Sequence, residues 1–89
     1  MVFKLKSGFV LRKIGNQNMA VPVGTQTSHI HGMIVLSESG ELLWQALANG
    51  AEEDALVEIL MENYEVDQPT ALADVKDFLK GLEEQGALQ

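Results

Sequence analysis

The amino-acid sequence predicts an α+β fold in which a three-stranded antiparallel sheet is followed by three α-helices. Residues 9–36 contain short runs of apolar and β-branched residues separated by turn-forming residues, a pattern typical of strands. Residues 38–86 repeat apolar residues at the spacings of three and four that amphipathic helices require. Because 89 residues are enough for one domain but few for two, we expect a single domain over residues 1–89.

Three apolar runs in the first half predict the strands. The first run, residues 9–14, ends at a Gly-Asn turn. The second, residues 19–23, contains Pro22, which lacks a backbone N–H and is therefore expected at a bulge or an unpaired position. The third, residues 32–36, follows a polar loop over residues 25–31. The short connections between these runs predict an antiparallel meander.

The first two predicted helices differ in how clearly their ends are marked. Ser37 is a suitable N-cap for a helix over residues 38–48, and Gly50 provides a left-handed stop after it. The apolar face of this helix consists of Leu43, Trp44 and Leu47. A second helix over residues 52–64 has no Ser or Thr at its start, so we expect its N-terminus to be poorly capped.

The third predicted helix is marked at both ends. Asp67 caps its start, Pro69 occupies the first turn, where its missing N–H costs nothing, and Gly86 ends it. Its apolar stripe consists of Leu72, Val75, Leu79 and Leu82. Short helices packed on one face of a small sheet describe a winged helix-turn-helix-like arrangement.

Charge is divided unevenly along the chain. Residues 1–37 carry a net charge of +4 and residues 38–89 carry −11, which gives −7 overall. An acidic second half repels phosphate backbones, and the third helix carries more acids than bases, so nucleic-acid binding is the weaker alternative for this fold. The same half favours a basic peptide or a basic surface on a partner protein.

Few residues are suited to catalysis or metal binding. The chain has no cysteine, which excludes disulfides and thiolate chemistry and agrees with a cytoplasmic location. His29 and His31 have a spacing that metal sites use, but a third ligand would be a distant carboxylate, so an ordinary loop is the favoured interpretation. Ser37 and Ser39 suit helix capping better than nucleophilic attack. We therefore expect no enzyme and no cofactor, and no apolar run is long enough to span a membrane.

Several segments resemble proteins of the PqqD-like family. Residues 36–40, with the sequence LSESG, and the following Leu43 and Trp44 resemble the LN-x-TG…W segment of that family. No single motif is specific, but the resemblance keeps its order and spacing over most of the chain. Upstream of this segment the resemblance includes Arg12 and Pro22. Downstream it includes Gly50, Tyr64, Asp67, Asp74, Phe78 and Leu88.

The resemblance implies a peptide-binding protein. PqqD-like proteins are non-enzymatic chaperones that bind a ribosomal precursor peptide and dock on a modifying enzyme, such as a radical S-adenosylmethionine enzyme. The leader of the precursor adds as a strand beside the third strand and packs against the third helix. Pyrroloquinoline quinone and lasso peptide pathways both use such domains, so the product stays open. The expected peptide-binding residues are Met33, Ile34, Val35, Leu36, Ala71, Asp74, Val75 and Phe78.

Three alternatives to this interpretation stay open. Phe78 suits the core of the domain as well as the wall of a peptide groove. The free edge of the third strand is also a surface on which a second copy of the chain pairs, so a homodimer competes with a peptide for it. An oligomeric scaffold or enzyme subunit without a peptide ligand has the same fold and composition.

Overall fold

The computed structural model describes residues 1–23 and 34–89. Within these ranges the chain forms a three-stranded sheet, a two-stranded sheet and three helices, so the predicted α+β class is confirmed. The predicted loop at residues 25–31, with His29 and His31, lies outside the described residues, as do Gly32 and Met33 of the predicted third strand. The elements are β1 (Val2–Phe3), β2 (Phe9–Ile14), β3 (Gln17–Pro22), β4 (Ile34–Leu36), α1 (Glu38–Ala48), β5 (Ala51–Glu52), α2 (Glu53–Asn63) and α3 (Gln68–Glu84).

The larger sheet is the predicted meander. Its strand order is β2-β3-β4, and both strand pairs are antiparallel. β3 begins at Gln17, earlier than the predicted Met19, and ends at Pro22. Pro22 lies opposite Phe9 at the end of the β2–β3 ladder, where its missing N–H removes no hydrogen bond from the interior of the sheet. β4 forms one edge of this sheet.

Side chains alternate between the two faces of the larger sheet. Ala20 and Ile34 are paired across β3 and β4 and face the helices, where Ala20 is fully buried. Met19 and Val35 are the next pair and face the other side, where Val35 is 59% exposed. β4 therefore turns Ile34 and Leu36 toward the core and Val35 away from it.

Contacts of the N-terminal segment with distant parts of the chain were not predicted from the sequence. β1 pairs with β5 in a two-stranded antiparallel sheet, and Leu5 forms an isolated antiparallel bridge with Leu88. The backbone N–H of Lys6 donates to the carbonyl oxygen of Ala87 at 2.8 Å. Strands of two residues show no periodicity, so only the folded chain reveals these pairings.

The core lies between the larger sheet and the helices. The rings of Phe9 on β2 and Trp44 on α1 pack edge to face, with centroids 5.3 Å apart and planes at 78°. The N–H of Leu5 donates to the carbonyl of Leu47 at 3.2 Å, which ties the N-terminal segment to α1. The buried apolar residues are Leu5, Ala20, Leu36, Leu43, Trp44, Leu47, Leu56, Val57, Leu60, Ala71, Val75, Leu79, Leu82 and Ala87.

Side-chain caps begin α1 and α3 as predicted. The Oγ of Ser37 accepts a hydrogen bond from the N–H of Gly40 at 3.1 Å. Oδ1 of Asp67 accepts one from the N–H of Thr70 at 2.9 Å. The first residue before α2, Glu52, makes no side-chain cap, which confirms the poorly capped start of that helix. The caps could be predicted from the sequence because capping depends only on residues that are neighbours in the chain.

The buried stripe of α3 differs from the predicted one at its first position. Ala71, not Leu72, is fully buried, and Leu72 is only partly covered. The stripe continues through Val75, Leu79 and Leu82, as expected. A methyl side chain lets two helices approach more closely than a leucine does, and α2 and α3 pack directly on each other. No helix in the described ranges combines the length and apolar composition needed to cross a bilayer.

The cap at Asp67 predicts a pH-dependent stability. Hydrogen bonds from the hydroxyl and the backbone N–H of Thr70 hold the pKa of Asp67 below its usual range. A depressed carboxyl pKa stabilises the folded state above the unfolded pKa of about 3.9, and this contribution is lost as the pH falls through the folded pKa. Asp67→Ala is therefore expected to lower the free energy of unfolding at pH 7 and to lower it less below about pH 4.

Urea denaturation of the wild-type chain and the variant at pH 7 and again below about pH 4 measures the loss in free energy of unfolding at each pH. Asp77→Ala is the matched control, because Asp77 is an exposed residue in the middle of the same helix. It is expected to cause no comparable loss at either pH. A loss at Asp67 that is equal at both pH values would contradict the assignment of a charged cap.

Candidate functional site

β4 has a backbone edge that no described residue occupies. It pairs with β3 on one side, and its other side has no backbone partner in residues 1–23 and 34–89. An edge strand presents unpaired N–H and C=O groups, which can hydrogen-bond to an extended chain laid beside it. With Ile34, Val35 and Leu36, the described strand is short. The edge therefore offers a few directed hydrogen bonds.

α3 reaches the end of β4 through Phe78. A Cβ atom added at Gly40, in the first turn of α1, would lie 3.3 Å from Cε1 of Phe78 and 3.7 Å from Cδ2 of Leu36. It would also lie 3.2 Å from Oγ of Ser37. β4, α1 and α3 thus meet around Gly40, where a larger residue would require the neighbouring side chains to move by a few tenths of an ångström. We call this meeting point, defined by Leu36, Gly40 and Phe78, the strand–helix junction.

Phe78 belongs partly to the core and partly to the surface. Its side chain packs against the buried cluster but is itself only half-buried. The partial burial of Phe78 is compatible with a core position and leaves part of its side chain accessible at the surface. Phe78 is an apolar surface on α3 close to the edge strand.

The residues predicted to bind a peptide lie at different depths. Ile34 is half-buried, whereas Val35 and Asp74 are exposed. Ala71 and Val75 have no exposed surface, because they occupy the buried stripe of α3. They can support the site from the core but offer no atoms to a ligand at the surface. Leu36, which is part of the junction, is 5% exposed, and Met33 lies outside the described residues.

A small cavity lies next to the junction. The sequence did not predict this cavity. Its volume is about 190 Å³, and it is lined by Ser39 of α1, Leu60 and Tyr64 at the end of α2, Val66 of the following loop, and Asp74 of α3. Burial and the negative charge of Glu38 raise the pKa of the Tyr64 hydroxyl. The lining of the cavity comes from four separate segments of the chain. Asp74 is the one lining residue that the sequence analysis had included among the peptide-binding residues. We call this cavity the acidic pocket.

The described residues contain no group of three His, Cys, Asp or Glu side chains placed to hold a metal ion. The two histidines that raised this alternative, His29 and His31, lie outside the described ranges. What the structure brings together is an edge strand, an aromatic side chain and a cavity beside them. These features suit binding of an extended chain.

A comparison with family models decides the family. The model described as "Coenzyme PQQ synthesis protein D (PqqD)" matches residues 23–88, which is well over half of the chain. The chain belongs to the PqqD family. The resemblance read from residues 36–40 and the segments after them is thereby confirmed. No curated protein matches this PqqD-family chain.

Two solved structures have the same fold as this PqqD-family chain. The structure described as "TbiB1 in Complex with the TbiA(beta) Leader Peptide" is 24% identical, with a TM-score of 0.76 over 97% of this chain and 94% of that one. The structure described as "Lasso peptide synthetase B1 complexed with the leader peptide" is 20% identical, with a TM-score of 0.76 over 98% of this chain and 96% of that one. At these identities the likeness establishes the fold.

Gly40→Ala in this PqqD-family chain tests the strand–helix junction. Alanine is favoured over glycine inside helices by up to about 1 kcal/mol. At position 40, however, the new methyl group would press on Phe78 and the Ser37 hydroxyl, so these side chains must yield by a few tenths of an ångström. We expect little or no gain in the free energy of unfolding, together with shifted NMR resonances of the Phe78 ring and the Leu36 methyl groups.

Gly81→Ala is the matched control for this substitution. Gly81 lies inside α3, and a Cβ added there has no atom within 4 Å. The control is expected to raise the free energy of unfolding by about 0.5–1 kcal/mol and to leave the Phe78 ring resonances unchanged. Equal stabilisation by both substitutions, with no shift at Phe78, would show that the three elements do not meet at Gly40.

Proposed function

We propose that this chain binds the leader of a ribosomally made precursor peptide as an added strand along β4, and that it catalyses no reaction itself. The observation that carries the proposal is the outer edge of β4, which no residue within 1–23 or 34–89 occupies, beside the half-exposed ring of Phe78. Membership of the PqqD family supports it. Both similar solved structures are, by their descriptions, complexes with leader peptides, which supports a leader peptide as the ligand of this chain.

The geometry predicts modest affinity. Alternate residues of a strand direct their backbone groups to opposite neighbours, so a three-residue strand offers about two to four hydrogen bonds to a guest, each contributing ~1 kcal/mol. An apolar anchor on Phe78 adds ~2 kcal/mol. Ordering the peptide costs several kcal/mol of this total. We therefore expect these contacts alone to give a Kd weaker than about 0.1 mM, so tighter binding requires further side-chain contacts.

In the proposed function, the chain then delivers the bound peptide to a modifying enzyme in the cytoplasm. Residues 38–89 carry a net charge of −11, and most of their acids, including Glu58 and Glu62 on α2, are exposed. Such a surface attracts a basic patch on a partner protein and raises the rate of encounter at low salt. A radical S-adenosylmethionine enzyme encoded beside this chain would assign one class of modification. A peptidase and cyclase pair would assign a lasso peptide.

A homodimer is the competing occupant of the same edge. β4 of one copy can pair with β4 of a second copy, because an exposed edge does not distinguish a peptide from another strand. Sedimentation equilibrium separates the two: a monomer leaves the edge available, whereas a dimer that dissociates on peptide addition shows competition for it. A dimer unaffected by saturating peptide would support a scaffold instead.

Val35→Pro tests strand addition along β4. Proline removes a backbone donor from this short strand, and its ring obstructs close pairing, so affinity is expected to fall at least about tenfold. The ligands are fluorescently labelled leaders of short precursor genes adjacent to the gene for this chain, titrated by fluorescence anisotropy. Far-UV circular dichroism verifies that the helices are retained.

Leu11→Pro is the matched control, because Leu11 lies in β2 at the opposite edge of the same sheet. Its folded variant is expected to bind with unchanged affinity. Wild-type affinity in a folded Val35→Pro variant would count against β4 as the receiving edge. Equal losses in both variants would show that the sheet responds as a whole and that neither edge is the site.

A further inference from the structure

The acidic pocket combines an apolar interior with a carboxylate at its rim. Leu60 is buried at 3% exposure, and Val66 is half-buried, so the floor is aliphatic. Asp74 is exposed and lines the cavity from α3. The lining contains no Lys or Arg. A carboxylate above an aliphatic floor is complementary to a side chain with a methylene stem and a cationic end.

Two further sources of negative potential reach the same pocket. The negative charge of Glu38 influences the hydroxyl of Tyr64, and Tyr64 lines this cavity. Tyr64 is also the C-cap of α2, whose last turn carries no basic residue, so the negative end of the helix dipole is uncompensated there. The first turn of α1 contributes the opposite dipole end at Ser39, but Glu38 and Glu41 offset it.

The pocket continues the proposed peptide site. Asp74 precedes Phe78 by one helical turn on α3, a separation of about 6 Å along the helix. Ser39 is next in sequence to Gly40, around which Leu36 and Phe78 meet. A peptide laid beside β4 and packed on Phe78 therefore passes the mouth of the pocket within reach of a long side chain.

We propose that the acidic pocket receives a lysine or arginine side chain of the bound peptide, with its methylene groups on Leu60 and Val66 and its charge paired with Asp74. This inference rests on the proposed function and adds a specificity-determining contact to it. The ion pair is partly enclosed by apolar atoms, so replacing Asp74 is expected to weaken binding of such a peptide about three- to tenfold. The contact supplies selectivity that a short strand edge lacks, because backbone hydrogen bonds do not distinguish one peptide sequence from another.

The first test of this pocket needs no leader peptide. n-Pentylammonium, an aliphatic cation, is titrated into the ¹⁵N-labelled full chain and compared with uncharged n-pentanol. We expect concentration-dependent amide shifts at Ser39, Tyr64, Val66 and Asp74 with the cation, and smaller shifts with the alcohol. Asp74→Asn is expected to reduce the shifts, whereas Asp77→Asn, an equal change of charge on the same helix outside the pocket, leaves them in place.

Equal responses to the cation and the alcohol, or equal responses of the two variants, would overturn the electrostatic preference of the pocket. This outcome would leave the proposed function untouched, because it does not involve the strand edge.

The second test uses the leader that binds the chain. Each lysine and arginine of the leader is replaced in turn by norleucine, which keeps the aliphatic stem and removes the charge. One replacement is expected to weaken binding to the wild-type chain about three- to tenfold and to have little further effect on Asp74→Asn, which is the signature of a coupled pair.

The outcomes of the second test separate the two proposals. A leader that binds with no basic position coupled to Asp74 overturns this inference and leaves the proposed function standing. A failure of all neighbouring leaders to bind overturns both.

Discussion

The one-residue connection between β4 and α1 is the constraint on which the candidate site depends. Ser37 alone separates the two elements, and it adopts an extended conformation while its side chain caps α1. The direction of β4 is therefore set by α1. α1 is in turn held in the core by Leu43, Trp44 and Leu47. An edge strand placed in this way presents its backbone at a defined distance from α3.

This constraint explains how so short a strand can hold the defined position of the candidate binding edge. Each isolated pair of short strands is only marginally stable in water. Here β4 pairs with β3 on one side and buries Leu36 within the strand–helix junction. The close approach at Gly40 then brings Phe78 to the same place. The site is thus preorganised by core packing, which lowers the entropic cost of binding an extended chain.

Local signals in the sequence were sufficient for the caps, the helix positions and the meander. Ser37 and Asp67 act within their own turns, so their roles follow from neighbouring residues. The pairing of Leu5 with Leu88 was missed because it joins residues that are distant in sequence and leaves no periodic pattern. Ala71 was wrongly placed on the binding surface, whereas the structure buries it completely. Its burial depends on how closely α2 and α3 approach each other, and the spacing of residues in the sequence does not reveal that distance.

The candidate site was predicted only in part for the same reason. Spacing along α3 identified Asp74 and Phe78, but the acidic pocket also needs Ser39, Tyr64 and Val66 from other segments. Family resemblance supplied the expectation of an added strand, and the fold supplied the edge on which it would form. The charge that we propose for the ligand of this pocket depends on segments that only the fold brings together.

Amide hydrogen exchange in β4 measures strand addition most directly. Exchange is followed for the free chain and for its complex with the leader that binds, at the same pH and temperature. The account predicts that at least one amide among Ile34, Val35 and Leu36 exchanges more slowly in the complex, while the amides of β2 at the opposite edge do not. A saturated complex in which every β4 amide exchanges at its free rate would contradict the central claim.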